Sequence, residues 1–349
     1  MKSKTFILSA VSLVLVALLA VSGITIAIDP LFIYHKPWFG LEPVITSERY
    51  QNAGVAKNFD FNNVIIGNSM CENFKPSDFK NCFEGTTVKL TASGSHALDW
   101  TYLLEILKNR DKQPKNIVMN FDSGILDASA TETQHYLPVF LYDDNILNDV
   151  NYFLNFSILK DYTFKSVRAN LKNDIPDIDT LFVWDHQVSK GKEFVLSKYN
   201  RPDIVNTSPD IDAALYLAKE NINLLIPYFE SMKETDFTLF FSPFSIFFWD
   251  EQNQLNKIEL WETIYSEVCK ILVEYDNVHL LCWTDDKMIN IITNLDNYKD
   301  TTHYISNVSL EIVDRISRQE GKLTKQNYLY EIEKFFNFVS NYDYEQIFI

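Results

Sequence analysis

Positive charge is the first thing this 349-residue chain lacks: 31 Lys and Arg face 47 Asp and Glu, for a formal net charge of −16. Nucleic acids and anionic lipid surfaces are polyanions, so the chain as a whole has no electrostatic means of binding either non-specifically. Cysteine is the second. There are four, Cys71, Cys82, Cys269 and Cys282, and none is spaced as CxxC or a similar clamp. That excludes the usual zinc-site pattern, and neither a metal nor another cofactor is expected. Internal repeats and low-complexity linkers are also missing, so no repeat array is expected. Apolar material is plentiful: 46% of residues are apolar and 14% aromatic, enough for a sizeable core in one large domain or two ordinary ones.

The N-terminus reads as a separate object. Lys2 and Lys4 precede an uncharged run from Thr5 to Ile28 that closes at Asp29-Pro30. As a helix that run reaches about 36 Å, enough to cross a bilayer with some tilt. Ala20-Val21-Ser22 has the form of a signal-peptide cleavage site, but the apolar run continues past it through Ile24, Ile26 and Ile28. An uncleaved anchor over residues 1–29 is therefore favoured. The basic residues flank its N-terminal end, which by the positive-inside rule puts residues 30–349 outside the cytoplasm. In such an oxidising compartment an even cysteine count permits two disulfides, with three possible connectivities; buried free thiols are the alternative.

Short, mostly apolar runs at 63–66, 87–90, 116–121, 237–241 and 278–283 alternate with helix-like segments at about 97–109, 211–232 and 255–274. Strands apolar on both faces suit a parallel sheet covered by helices, and the alternation predicts a doubly wound α/β domain of about five strands. Active residues are then expected just beyond the strand C-termini. Residues 123–210, rich in Asp, Asn, Tyr and Phe, break the rhythm and read as a largely helical insertion over that edge of the sheet, either a substrate wall or an independent subdomain. The aromatic-rich stretch 325–349 reads as a further helix.

Two short motifs carry chemistry. In "NNVIIGNSMCENF" the strand at 63–66 runs into Gly67-Asn68-Ser69, a turn that presents a serine hydroxyl and its own backbone N–H at the strand's end. In "NYKDTTHYISNVSLEIVDRI", Asp300 and His303 stand three apart, and Ile305, Val308, Ile312 and Ile316 follow at helical spacing, so His303 is expected to open a helix. A D-x-x-H pair lets the carboxylate hold imidazole Nδ1–H and stabilise the imidazolium. Either motif alone has a bland reading, as a small-residue turn or an Asp cap.

Together, in this order and on this layout, they resemble the SGNH (GDSL-like) hydrolase family, a flavodoxin-like α/β fold. The resemblance implies Ser69 as nucleophile, His303 as general base and Asp300 as its orienting partner. It also implies a glycine N–H in the oxyanion hole, for which "TASGSHALDW" offers Gly94, and an asparagine after the next strand. There, "NIVMNFDSGILD" has Asn120 or Asp122 instead of a clear G-x-N-D, and a carboxylate donates only when protonated. The anchored layout is similar to the extracytoplasmic branch whose members serve teichoic-acid D-alanylation and polysaccharide O-acetylation. That implies an envelope glycan or teichoic-acid substrate, a membrane-bound acyl-transporting protein as a partner, and either ester hydrolysis or O-acyl transfer. The competing expectation is a binding or assembly factor that kept the fold and lost turnover.

The other histidines, His35, His96, His135, His186 and His279, have no metal-like spacing, although His96 is close enough to Gly94 to line the same pocket. "FFSPFSIFFWD" reads as a loop after the strand at 237–241, with Ser242, Ser245 and Trp249 either contacting substrate or, the favoured expectation, packed away from it.

Overall fold

The computed structural model describes residues 2–348, so Met1 of the expected anchor and Ile349 at the end of the expected domain lie outside the described residues. The chain forms two compact units. One holds the residues up to Asp60 together with Leu137–Leu181; the other holds Phe61–Tyr136 and the described residues from Phe182 on. The expected insertion at 123–210 is thus divided, its middle belonging to the N-terminal unit and its two ends to the sheet.

In the N-terminal unit, helix Lys2–Ile28 contains a stretch from Lys4 long and apolar enough to cross a membrane. It stops at Asp29, whose backbone turns to positive φ while its carboxylate accepts the N–H groups of Ile33, Tyr34 and His35 and the hydroxyl of Tyr152. A carboxylate that takes the donors of the following residues offers the backbone an alternative to continuing the helix, and Pro30 comes next. Residues 150–172 add the short helix Val150–Phe153 and a helical run in three pieces: Phe156–Ile158, a π-turn at Leu159–Thr163, and Phe164–Lys172.

The second unit is built on one five-stranded, all-parallel sheet: β1 (Asn63–Gly67), β2 (Thr87–Thr91), β3 (Asn116–Phe121), β4 (Asp236–Phe241) and β5 (Val278–Leu281), in the order β2-β1-β3-β4-β5. β1 is buried along its whole length, which explains why its sequence runs apolar without alternation. The chain winds outward to β2, returns across β1, and continues through β3 in the other direction. The order therefore reverses between β1 and β3, and in open α/β sheets ligands bind in the crevice beyond such a switch point.

Helix Ala97–Lys108 buries Trp100, Leu103, Leu104 and Leu107 at i, i+3, i+4 and i+7, and Asp99 accepts from the backbone N–H of His96 to close its first turn. The segment expected as a helix at 255–274 forms one, Ile258–Leu272, and a further helix, Ile246–Gln254, precedes it, the two separated where Asn256 takes a left-handed conformation. Most of "FFSPFSIFFWD" beyond Ser245 is therefore helix and not loop. Helix Ser306–Arg318 begins three residues after His303, so His303 does not open it. The Asp300 carboxylate captures the backbone N–H groups of Thr302 and His303 in a tight local turn, and a bridge between Tyr298 and Tyr304 closes the loop before the helix starts. The C-terminal stretch forms helix Tyr328–Asn341.

Candidate active site

The turn after β1 depends on a close approach that only glycine permits. A Cβ on Gly67 would lie 2.5 Å from Asn120 Oδ1 and 2.5 Å from Cys71 Sγ, both fixed in the interior. Asn68 then pairs reciprocally with Asn120. Its backbone N–H donates to Asn120 Oδ1 at 3.1 Å, and its Oδ1 accepts from Asn120 Nδ2 at 3.1 Å and from the N–H of Met70 at 3.0 Å. The turn is held from below by β3, and Ser69 stands at its crest.

Ser69 Oγ is hydrogen bonded to His303 Nε2 at 2.7 Å. On the other side of the ring, His303 Nδ1 lies 2.9 and 3.0 Å from the two Asp300 oxygens. That contact puts the ring proton on Nδ1, so Nε2 faces the serine as an acceptor. Burial by itself would raise the Asp300 carboxyl, but the hydrogen bond and charge of His303 and the N–H groups of His303 and Thr302 outweigh it and hold the group down at about 2. The loop carrying this pair is tied to the end of β4: Tyr298 Oη–H donates to Pro243 O at 2.6 Å, and Ser245 donates to Thr301 O through both Oγ and N–H.

Asn120 and Asp122 are both fully buried. Asn120 Nδ2 donates to Asp122 Oδ2 at 2.8 Å, and Ser242 Oγ donates to the same oxygen at 2.7 Å. Desolvation pushes the Asp122 carboxyl above its ordinary range against these hydrogen bonds. The two side chains thus lie beneath the Ser69 turn and brace it. Gly94 sits in the β2–helix connection at φ +65°, with the exposed His135 so close that a Cβ there would come within 2.7 Å of its Nε2. The backbone N–H groups of Ser69 and Gly94 have no acceptor among the described residues. Ser242, Ser245 and Trp249 are buried, the two serines engaged with Asp122 and Thr301. All four cysteines are free thiols, and Cys71 Sγ–H contacts Asn120 Oδ1 at 3.4 Å.

Several site residues carried no sequence signal. The most prominent is Trp184, in the part of the expected insertion that belongs to the sheet unit. Its ring meets His303 edge to face at 5.8 Å, Lys299 Nζ sits 3.9 Å above its centroid, and its indole N–H points at Ser69 O, 3.5 Å away. Asn73 Oδ1 accepts the backbone N–H groups of Trp184 and Asp185, while Asn73 Nδ2 donates to Tyr304 O and Tyr304 Oη–H donates to Met70 O. Asn73 therefore links the Ser69 turn, the histidine loop and the tryptophan segment. Beside Asp300 and Thr301 opens a cavity of 280 Å³, also lined by Val195, Lys198, Tyr199 and Glu251.

Neither a protein-family model nor a curated protein matches this chain.

Proposed function

We propose that the chain is a membrane-anchored serine esterase or O-acyltransferase of SGNH type, acting outside the cytoplasm on acyl groups of an envelope glycan or teichoic acid. The observation that carries the reading is the unbroken hydrogen-bonded series from Ser69 Oγ through His303 to Asp300, at the C-terminal edge of a parallel sheet. The glycan or teichoic-acid assignment and a partnership with an acyl-transporting membrane protein come from the sequence resemblance.

In the proposed reaction Ser69 Oγ attacks the ester carbonyl carbon as His303 Nε2 takes its proton. Asp300, already ionised, stabilises the imidazolium without accepting a proton. The oxyanion that forms on the carbonyl oxygen is met by the free N–H groups of Ser69 and Gly94, with Asn120 and Asp122 fixing the turn that aims the first of them. Collapse of the intermediate expels the alcohol, which leaves with the proton from His303. Water or a glycan hydroxyl then attacks acyl-Ser69 with the same histidine as base, and the identity of that second nucleophile separates hydrolysis from transfer.

Full-length protein in detergent should react with a fluorophosphonate probe and hydrolyse an aryl acetate, and Ser69→Ala should abolish both. Labelling that survives Ser69→Ala would remove the nucleophile assignment. A wild type inert to both reagents would favour the binding-factor reading, to which the engagement of Asn120 with Asn68 and Asp122 gives specific support.

A further inference from the structure

The exposed face of the helical run at 156–172 has no partner within the N-terminal unit, and its position relative to the apolar helix says what covers it. The N-terminal helix is bare from Lys4 to Ala20, and partial burial begins at Val21, with Thr25 1% exposed. The elements that cover this end are the helix Val150–Phe153 and the π-turn Leu159–Thr163. The bare stretch of 17 residues spans about 26 Å, close to the hydrocarbon thickness of about 30 Å. A bilayer that fills it ends at the level where residues 150–163 pack. Tyr34, Trp38 and Phe39, all exposed just past the end of the helix, are the residue types that gather at a membrane–water boundary.

The chemistry of the run fits that boundary. Phe164 is 57% and Leu171 83% exposed, and their separation of seven residues puts them on one face of helix Phe164–Lys172. Lys160, Lys165, Arg168 and Lys172 are exposed around them, and none pairs with a carboxylate among the described residues. Residues 156–172 hold these four cations against a single acid, Asp161, in a chain of net charge −16. Large apolar side chains flanked by unpaired cations mark a helix that lies in the plane of a bilayer surface.

We infer that residues 156–172 form a membrane seat, in which Phe164 and Leu171 enter the acyl–headgroup boundary while Lys160, Lys165, Arg168 and Lys172 contact anionic phospholipid headgroups. The seat rests on the reading of the N-terminal helix as a membrane span. It also revises the expectation drawn from net charge: the chain as a whole repels an anionic surface, and this one segment attracts it. Each cation near such a surface contributes roughly a fivefold factor in partitioning.

The test uses the full-length chain in lipid discs of phosphatidylcholine with and without phosphatidylglycerol. Nitroxides are placed singly through Val16→Cys, Leu171→Cys and, as an exposed control in the sheet unit, Tyr216→Cys; wild type labelled in parallel supplies the background from native thiols. In discs with phosphatidylglycerol the label at 171 should be open to oxygen and shielded from a nickel chelate about tenfold more than the label at 216. Converting Lys160, Lys165, Arg168 and Lys172 to Gln should reduce that shielding. A label at 16 immersed in lipid with a label at 171 open to the chelate would overturn the seat alone. Chelate access at 16 would overturn the span and the seat with it. Equal shielding at 171 in discs without phosphatidylglycerol would overturn the headgroup assignment. Shielding that arises only when a soluble polyanion is added would give the cations to a polymer and overturn the seat.

Discussion

Ser69 Oγ and His303 Nε2 lie 2.7 Å apart although 234 positions separate them, with Asp300 on the far nitrogen of the ring. Groups joined this closely act as a unit, so their removal should not be additive. Ser69→Ala or His303→Ala should each lower kcat by about 10⁴ to 10⁶, and the double variant should lose little more. Steady-state kinetics on an aryl ester would check this; a double variant worse by the product of the two single losses would mean that the residues work separately.

The pH response of the Asp300–His303 pair follows from the depressed carboxyl, held at about 2 against an unfolded value of about 3.9. A group whose folded pKa is lowered stabilises the fold above the unfolded pKa and loses that contribution as pH falls through the folded one. The difference in melting temperature between wild type and Asp300→Asn should shrink as pH falls from about 4 to 2. Thermal unfolding over that range measures it, and a difference that grows on acidification contradicts the sign.

Trp184 is expected to be a positioning residue whose ring supports His303. An aromatic edge-to-face contact is worth about 0.5–1.5 kcal/mol, so Trp184→Ala should lower kcat/KM by about two- to twelvefold and Trp184→Phe by less. Rescue by Phe distinguishes ring support from the indole hydrogen bond to Ser69 O.

Gly67→Ala forces a methyl into the space held by Asn120 Oδ1 and Cys71 Sγ. Overpacking of this kind costs about 1–3 kcal/mol, and here the strain acts on the turn that carries Ser69. Both the melting temperature and fluorophosphonate labelling should fall. Gly94→Ala meets a different obstacle, a left-handed backbone and the mobile end of His135, so activity should fall with a smaller change in stability.

The thiols should be inert in the native state. Burial raises all four, and the half-exposed Cys82 is pushed to about 11 by burial and by the nearby Asp314 and Asp78. Thiol titration at pH 8 should find almost none reactive in folded protein and four per chain after denaturation without reductant. Two or fewer on denaturation would mean that a disulfide forms.

Much of the sheet was legible because its strands are buried on both faces. Apolar runs such as "NVIIG" and "NIVMNF" have no solvent-facing positions to interrupt them, and their bounds agree with expectation to within two residues. The N-terminal helix was equally plain, since an uncharged run from Thr5 to Ile28 holds no residue that would break it, and it forms a helix long and apolar enough to cross a membrane. Local competition was harder to see. The helix expected at His303 starts at Ser306 because the Asp300 side chain takes the backbone donors that a helix would use. The division of residues 123–210 between two units was invisible, because its short helices carry no periodicity that names their partners.

The sequence by itself determined the strands, their alternation with helices and the pair of motifs, all of which depend on residues near one another in the chain; the order of the strands in the sheet came from the structure. Only the tertiary structure decided that Ser69 meets His303, that Asn120 and Asp122 brace a turn from below, and that Trp184 stands against the imidazole. Those contacts join segments more than a hundred residues apart, except for Asn120 and Asp122, and even these act on a turn about fifty residues away. Distances of that kind are fixed by how the strands line up in the sheet. No spacing along the chain encodes them.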